Sequence, residues 1–244
     1  MKTEKINVMT WNTGITENLN NHDNNFNSIL NYVQEFLDRG NSIVFLQQMV
    51  YKYKKDNGEW EIHEFFNKFN KHFSEYPPFC NGHSQYYNFN EIIHMFTLAL
   101  VSKGSGFERL DSFIPRNTPP NRSLAVKYKG VSFLGIHAQN GKYNDNFLNA
   151  LNEAPADIIL GDFNAGDYPK SENRKKFREI LQQHVCICNM PTKKCAKRKT
   201  CIDHIFVKDI MVTCCSNLIV HEDITLSDHF PITFELEIPT DSDN

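Results

Sequence analysis

The stretch at residues 157–165 constrains the fold of this chain more than any other. Three large apolar residues at 158–160 predict a short strand that is buried on both faces. Gly161 ends that strand, and Asp162 and Asn164 follow directly. A carboxylate and an amide two positions apart point at one spot when the backbone stays extended. This pattern suits a hard-cation ligand or a carboxylate that orients water beside an oxyanion donor, although an ordinary strand-to-loop turn has the same sequence.

Composition narrows the class of protein. The chain has 244 residues, 40% hydrophobic and 23% charged, as in a soluble globular protein with one large core or two small ones. It has no run of eighteen apolar residues and no signal-peptide pattern, so we expect no membrane contact and a cytoplasmic location. An odd number of cysteines, seven, fits that location because they cannot all pair within one chain. The net charge of −3 argues against a generally basic surface for nucleic acid, so phosphate binding must be local.

The apolar spacing predicts many strands separated by a few helices. Helices are expected at 26–37, 61–73, 144–153 and 172–183. Strands are expected at 6–12, 42–50, 92–101, 124–128, 131–137, 157–162, 201–207, 211–215 and 218–220. The segment at 226–236 is expected to run from a polar loop into a final strand. With no repeat and no linker, this order predicts one α/β domain at 1–239, built from two packed sheets with helices outside. The tail at 240–244 is expected to fray.

Polar side chains stand at several predicted strand ends, where a core would not need them. They are Asn12, Gln48, His137, Asp162 with Asn164, Asp203, and Asp228 with His229. Each has an ordinary explanation when taken alone: a lone histidine is more often a satisfied core residue, and a lone aspartate often caps a turn. Acids, amides and histidines gathered at strand ends suit the cleavage of a phosphodiester by a metal-activated water.

Five motifs resemble, in order and spacing, those of the endonuclease/exonuclease/phosphatase superfamily. They are TWN at 10–12, LQQ at 46–48, GDFN at 161–164, IDHIFV at 202–207 and SDH at 227–229. That superfamily includes DNase I-like nucleases, exonuclease III-like repair enzymes, neutral sphingomyelinases and inositol polyphosphate phosphatases. The resemblance extends over residues 6–236. It implies a four-layer α/β sandwich with two central mixed β-sheets flanked by helices, a site at one end of the sheets, and a divalent cation, usually Mg²⁺.

The resemblance also implies roles around the metal and the water. Asn12, Gln48 and Asp228 take the positions that hold or orient the metal, and Asn12 is also near the attacked phosphate. Asp162 takes the position of the carboxylate that orients or deprotonates the attacking water. Asn164 takes that of the amide that steadies the pentacovalent phosphate.

Four more positions match residues that face the phosphate. His229 resembles the histidine beside the scissile phosphate, and Asp203 its polarising partner, a pairing that would raise the pKa of His229. His137 matches the second histidine of the nuclease branch. Arg122 matches the phosphate-contacting arginine, and a surface ion pair is the alternative for it.

Gln48 departs from the superfamily pattern. The motif is Leu-Gln-Glu, and its glutamate is the main carboxylate ligand of the metal. An amide brings no charge, so the affinity for Mg²⁺ should fall. Three explanations stay open: a deliberate inactivating change, a natural site of weaker affinity that prefers Mn²⁺, or a catalytically dead binder. Retention of Asp162, Asp203, Asp228 and His229 argues against long-standing decay.

The expected partner is nucleic acid, most simply DNA. The basic run at 193–199, which contains Lys197 and Arg198, suits a clamp on a polyanionic backbone, and a solvated loop is its alternative. Tyr86, in a loop expected to border the site, suits stacking on a base. A metal-dependent DNA endonuclease is therefore the first hypothesis. The others are a phosphatase or phosphodiesterase acting on a small or lipid-borne phosphate, and a non-catalytic phosphate-binding protein. The sequence does not indicate an oligomeric state.

Overall fold

The fold follows from three buried apolar clusters that two mixed sheets keep apart. The computed structural model describes residues 2–15, 23–76, 78–80, 93–115, 118–141, 144–153, 155–165, 170–196 and 198–240. One cluster lies outside the first sheet, the second lies between the sheets, and the third lies outside the second sheet. Each helix supplies one apolar face to an outer cluster, as amphipathic helices do.

The elements follow one another along the chain in this order. The strands are β1 (Thr3–Asn12), β2 (Ser42–Lys54), β3 (Trp60–Ile62), β4 (Phe79–Cys80), β5 (Ile93–Val101), β6 (Glu108–Arg109), β7 (Ser123–Tyr128), β8 (Val131–His137), β9 (Ile158–Asp162), β10 (His184–Cys186), β11 (Lys193–Cys195), β12 (Arg198–Thr200), β13 (Asp203–Lys208), β14 (Cys215–Val220) and β15 (Ile232–Pro239). The helices are α1 (Asp23–Leu37), α2 (Glu64–His72), α3 (Asn144–Ala150) and α4 (Ser171–Ile180). Short 3₁₀ helices cover Asp111–Phe113, Pro120–Arg122, Leu151–Glu153 and Asp209–Cys214.

Two sheets carry almost all of these strands. The first has the order β14-β15-β1-β2-β5-β4, with β3 paired to β2, and the second has the order β10-β13-β9-β8-β7-β6. Each sheet contains one parallel pair, β1 with β2 and β8 with β9. Parallel neighbours end at the same edge of a sheet, so each pair delivers its last residues side by side. The strands β11 and β12 form a separate hairpin.

The helices cover the outer faces of the two sheets. Phe26 and Val33 of α1 and Phe69 of α2 share the first cluster with Trp11 and Leu46 of the first sheet. On the other side, Phe147 and Phe177 share the third cluster with Leu134 and Ile159. Phe45, Phe133 and Phe234 fill the space between the sheets. The layers therefore run helix, sheet, sheet, helix, which confirms the predicted four-layer sandwich with two central mixed β-sheets.

Two sequence-based assignments of apolar segments were wrong. The helix expected from residue 61 begins only at Glu64, because Trp60–Ile62 pairs with β2 as a strand. The His63 side chain caps α2 by accepting the Phe65 N–H at 3.2 Å. The strand expected at 211–215 lies mainly in the 3₁₀ helix Asp209–Cys214, whose residues are not buried. Short apolar runs fit both kinds of structure, and burial against the sheet decides between them.

Several whole-chain predictions stand apart from these elements. None of the seven cysteines, all of which lie among the described residues, forms a disulfide. Among the helices that the structure describes, none has the length and apolar content needed to cross a membrane. The assignment of residues 1–239 to one domain stays a prediction. At the predicted tail, the backbone N–H and the hydroxyl of Thr240 both donate to Lys2 O at 2.9 Å, and residues 241–244 lie outside the described residues.

Gly161 allows β9 to approach β8 just before Asp162. It has a φ of 131°, and a Cβ there would overlap the carbonyl oxygen of Ile136, its neighbour in β8. Only glycine adopts this backbone conformation without strain and leaves room for that carbonyl. The glycine therefore places Asp162 against the end of β8.

We expect Gly161→Ala to lower the free energy of unfolding by about 3 kcal/mol or more, because it adds a backbone clash to an unfavourable φ. Gly104→Ala is the matched control: Gly104 has a φ of 68°, and nothing lies within 4 Å of the Cβ it would gain. It should cost only about 1 kcal/mol. Urea denaturation measures both, and equal losses would contradict a rigid approach of β9 to β8.

Candidate active site

The ends of the two parallel pairs meet at one place. Asn12, the last residue of β1, donates from Nδ2 to Oδ2 of Asp162, the last residue of β9, at 2.9 Å. This bond joins the first sheet to the second. Asp162 lies opposite His137 at the end of β8 and opposite Asp203 at the start of β13. The structure thus brings together residues that are far apart in the chain, from Asn12 to Asp203, at one edge of the sandwich.

Asp162 is a buried carboxylate held by two hydrogen bonds. Oδ2 accepts from Asn12, and Oδ1 accepts the backbone N–H of Asn164 at 2.9 Å. Asn164 has a φ of 48°, and its side-chain Nδ2 donates to Ala138 O at 2.9 Å, which fixes the turn after the strand. Burial and the nearby charge of Asp203 raise the pKa of Asp162 to about 6, against the opposing effect of His229.

His229 is charged because Asp203 holds it. Its Nδ1 lies 2.9 Å from both carboxylate oxygens of Asp203. Burial lowers the pKa of His229, but the charge and hydrogen bond of Asp203 outweigh it, and the pKa rises to about 9. Thr192 Oγ1 donates to Asp203 Oδ2 at 2.7 Å and so orients the carboxylate. The other ring nitrogen, Nε2, lies 3.9 Å from Asp162 Oδ2.

His137 also lies beside Asp162 and is neutral. Its Nε2 lies 3.8 Å from Asp162 Oδ2. Complete burial, then the charges of Arg122 and His229, hold the pKa of His137 well below its usual value. Arg122 donates from Nη1 to the carbonyls of His137 and Ala138 at 3.2 and 3.3 Å. Burial lowers the pKa of Arg122 to about 10, so it remains a cation at neutral pH, stabilised by the charge of Asp162.

Asp228 lies at the more open side of the site. Its Oδ1 is 4.0 Å from His229 Nε2, and its Oδ2 is 3.0 Å from Lys193 Nζ. Ser227 fixes this turn because its hydroxyl donates to Asn12 O at 2.9 Å and accepts the His229 N–H at 3.1 Å. The SDH motif therefore docks on the end of β1.

Gln48 occupies a bulge in β2 beside Asn12. Its neighbour Gln47 is paired in register with Asn12, and the Thr13 N–H and hydroxyl both donate to Gln47 O, at 3.1 and 2.9 Å. Gln48 itself is buried and has a φ of 57°, and the pairing of β2 with β5 shifts register between Leu46 and Met49. Bulges of this kind re-aim side chains next to active sites. The backbone thus delivers residue 48 to the same edge as Asn12.

The structure describes only some of the residues that were predicted to contact nucleic acid. Arg198 is exposed on β12, opposite Cys195 in the hairpin, and is not among the residues that contact Asp162 or His229. Lys197 and Tyr86 lie outside the described residues. The basic run, expected as a loop, forms the β11–β12 hairpin.

Three residues that contact the site were not singled out from the sequence. Trp11 Nε1 donates to His229 O at 3.0 Å, Thr192 holds Asp203, and Lys193 pairs with Asp228. Trp11 lies within the TWN motif at 10–12, next to Asn12, so its position in the sequence could have indicated a role at the site. Thr192 and Lys193 lie outside the five motifs. Their roles depend on the pairing of a hairpin with a distant turn, which spacing does not reveal.

The donor set fits a divalent cation. Asp162, Asp203 and His229 offer ligand atoms within 4.8 Å of one another, and all three residues are buried. The charged His229 is a hydrogen-bond donor rather than a ligand. The oxygens of Asp162, Asp228, Asn12 and Gln48 remain, and carboxylate and amide oxygens are what Mg²⁺ and Mn²⁺ prefer. Burial and the neighbouring carboxylate of Asp203 raise the pKa of Asp162, and the proximity of the two carboxylates also favours a cation here.

Comparison with known proteins agrees with this arrangement. A family model described as endonuclease-reverse transcriptase matches residues 132–233, which contain His137, Asp162, Asp203 and His229. No curated protein matches the chain.

Solved structures share the fold over nearly their whole length. The endonuclease domain of TRAS1, a telomere-specific non-LTR retrotransposon, is 12% identical with a TM-score of 0.63, over 96% of this chain and 98% of that one. The 3'-5' exonuclease NExo from Neisseria meningitidis is 18% identical with a TM-score of 0.63, over 95% and 99%. An AP endonuclease from Archaeoglobus fulgidus is 14% identical with a TM-score of 0.61, over 94% and 98%.

Together with the five motifs, these matches show that the chain is similar to members of the endonuclease/exonuclease/phosphatase superfamily, and the solved structures share its fold.

We expect Asp203→Asn to lower the pKa of His229 markedly, because the charge that raises it is removed. The folded-state pKa of about 9 lies above the ordinary value of 6.5. The protonated ring therefore stabilises the fold below that ordinary value, and this contribution is lost as pH rises through about 9. NMR titration of the imidazole, and unfolding at several pH values in EDTA, measure both effects.

Asp209→Asn is the control for that titration, since Asp209 follows the other end of β13. It should leave the pKa of His229 unchanged. An unchanged pKa in Asp203→Asn would contradict the pairing.

Proposed function

We propose that this chain is a divalent-metal-dependent phosphodiester hydrolase, most specifically a DNA endonuclease whose metal site is weakened by Gln48. One observation carries this proposal: a buried, hydrogen-bonded Asp162 lies within 4 Å of a charged His229 at the junction of the two sheets. A base and a charged donor at this spacing can serve the two sides of a phosphate, one facing the water and the other a phosphate oxygen.

In this mechanism Asp162 accepts a proton from the attacking water. The water oxygen forms a bond to phosphorus while one bridging P–O bond breaks, and the broken bond's electron pair remains on the leaving oxygen. With a pKa of about 6, Asp162 is mostly ionised near pH 7 yet is a stronger base than an ordinary aspartate. Its hydrogen bonds from Asn12 and Asn164 hold the carboxylate in one orientation.

The charged groups stabilise the negative phosphate. His229, kept protonated by Asp203, donates from Nε2 to a non-bridging oxygen, and Arg122 supplies a second cation. Asn164 and the neutral His137 complete the polar lining around the reacting phosphate. Asn12, Gln48 and Asp228 would hold a divalent cation, which would supply Lewis-acid stabilisation of the developing charge.

Similar proteins support cleavage of DNA within a strand. The matching family model is described as endonuclease-reverse transcriptase, and the TRAS1 structure is an endonuclease domain. The exposed Arg198 and the basic hairpin around it suit contact with a polyanionic backbone.

Removal of a terminal phosphate is the second candidate. One similar structure, at 20% identity, is that of the 3' phosphatase NExo from Neisseria bound to a product DNA hairpin. The same residues would serve a phosphomonoester, since the attack on phosphorus is alike and only the leaving group differs. Small or lipid-borne phosphate esters, and binding without catalysis, are the remaining alternatives.

We expect Gln48→Glu to raise plasmid nicking in Mg²⁺ by about tenfold or more, because it restores a charged ligand for a hard cation. In Mn²⁺, the nicking rates of the Gln48→Glu variant and the unmodified protein should differ less than they do in Mg²⁺. Supercoiled plasmid, assayed for nicked circles at several concentrations of each metal, provides the measurement.

Other outcomes of this assay separate the alternatives. No nicking by either protein, with release of phosphate from a 3'-phosphorylated oligonucleotide or a small ester, would favour the phosphatase. Silence on every ester, with retained DNA binding, would favour a non-catalytic binder. Equal nicking by both would show that charge at position 48 does not limit the site.

In the Gln48→Glu background, Asp162→Asn should reduce nicking by about 10³-fold, because the base is lost while the shape is kept. Asp157→Asn is its control. Asp157 precedes the same strand at its other end, where it pairs with Lys208 at 2.8 Å. That change should cost stability but leave the nicking rate of the folded protein unchanged. Equal effects of the two changes would contradict a base at Asp162.

A further inference from the structure

The β11–β12 hairpin is tied to the site by backbone hydrogen bonds on both sides of Lys193. The Phe230 N–H donates to Thr192 O, and the Lys194 N–H donates to Asp228 O, both at 2.7 Å. Lys193 itself stands opposite His229 in an antiparallel bridge. Its backbone position is therefore fixed beside the SDH turn.

The Lys193 side chain reaches the carboxylate of that turn. Its Nζ lies 3.0 Å from Asp228 Oδ2, and the two side chains are 22% and 38% exposed. A pair that is partly withdrawn from water is screened less than a surface pair. The ammonium thus neutralises the more accessible acid of the site.

Asp228 is one of the three residues that would hold the divalent cation in the proposed function. In the proposed function Asp162 serves as the base, and the position usually held by a glutamate is the uncharged Gln48, so Asp228 is the charged member of that set. Lys193 and the divalent cation therefore require the same carboxylate.

We propose that Lys193 is a resident cation that competes with the divalent metal for Asp228. Metal binding then requires the ammonium to leave Asp228, after which it is free to pair with the substrate phosphate. This inference rests on the proposed function, because it takes Asp228 as a metal-binding residue. Lys193 is a positioning residue here, since it acts through Asp228.

The test is the affinity for Mn²⁺, measured by the electron paramagnetic resonance signal of the free ion with no substrate present. Lys193→Met should tighten Mn²⁺ binding by about five- to tenfold, because it frees the carboxylate. Lys193→Arg keeps the charge and should show much less gain. Thermal unfolding of each variant verifies that the proteins compared are folded.

Lys199→Met is the matched control. Lys199 lies on the same hairpin, pairs with Glu222, and its loss changes the net charge equally. It should change Mn²⁺ affinity by less than about twofold, since Lys199 is exposed and pairs with Glu222 and not with Asp228, and screening weakens the effect of an exposed charge.

A double-mutant cycle isolates the shared carboxylate. In the Asp228→Asn background, Lys193→Met should give no gain over Asp228→Asn alone. The proposal is overturned if Lys193→Met and Lys199→Met behave alike, if the gain persists without Asp228, or if no variant binds Mn²⁺ at millimolar concentration. Because Mn²⁺ binding is read without DNA, its result is independent of the nicking assay that tests the proposed function.

Discussion

The burial of one carboxylate, Asp162, is the constraint on which the rest of the site depends. A buried charge is unfavourable unless hydrogen bonds and opposite charges replace the lost water. Here an amide from the first sheet, a backbone N–H from the following turn and the imidazolium of His229 supply that replacement. Since these groups come from separate segments, the carboxylate is satisfied only when the two sheets are docked. The same bonds that stabilise the junction therefore orient the carboxylate, which is the base in the proposed function.

The two histidines beside Asp162 differ because their other neighbours differ. His229 faces Asp203, which keeps it charged, whereas His137 lies near Arg122, and burial with that charge keeps it neutral. Both have Nε2 within 4 Å of the same carboxylate oxygen. One ring is thus fitted to stabilise negative charge, and the other to hydrogen-bond without adding charge. This division follows from the environment and not from residue type, as is general for paired titratable groups.

The sequence predicted the parts of the fold that depend on local pattern. Apolar runs identified β1, β2, β8 and β9, and the motifs located most residues that the structure gathers at one edge. The charged strands β11 and β12 were not predicted, because they lack apolar alternation. Backbone hydrogen bonds with Asp228 and Phe230 hold this hairpin in place. Glu61 and Ile62 were assigned to the start of a helix, whereas the pairing of Trp60–Ile62 with β2 makes this segment a strand. The contact of Lys193 with Asp228 could not be predicted either, because it depends on how the β11–β12 hairpin pairs with the turn at Asp228.

The charges of the site give a physical meaning to Gln48. Three acids, Asp162, Asp203 and Asp228, face three cations, His229, Arg122 and Lys193, so the fully ionised set sums to 3 − 3 = 0. A glutamate at position 48 would make that sum −1. With glutamine, the site attracts a divalent cation less strongly but repels an anionic phosphate less as well. Substitution of a single charge therefore shifts the balance between the metal and the phosphate, while every other member of the network keeps its partner. Under the proposed function, glutamine at position 48 would therefore change the relative affinities of the site for metal and phosphate without removing the contacts among the other site residues.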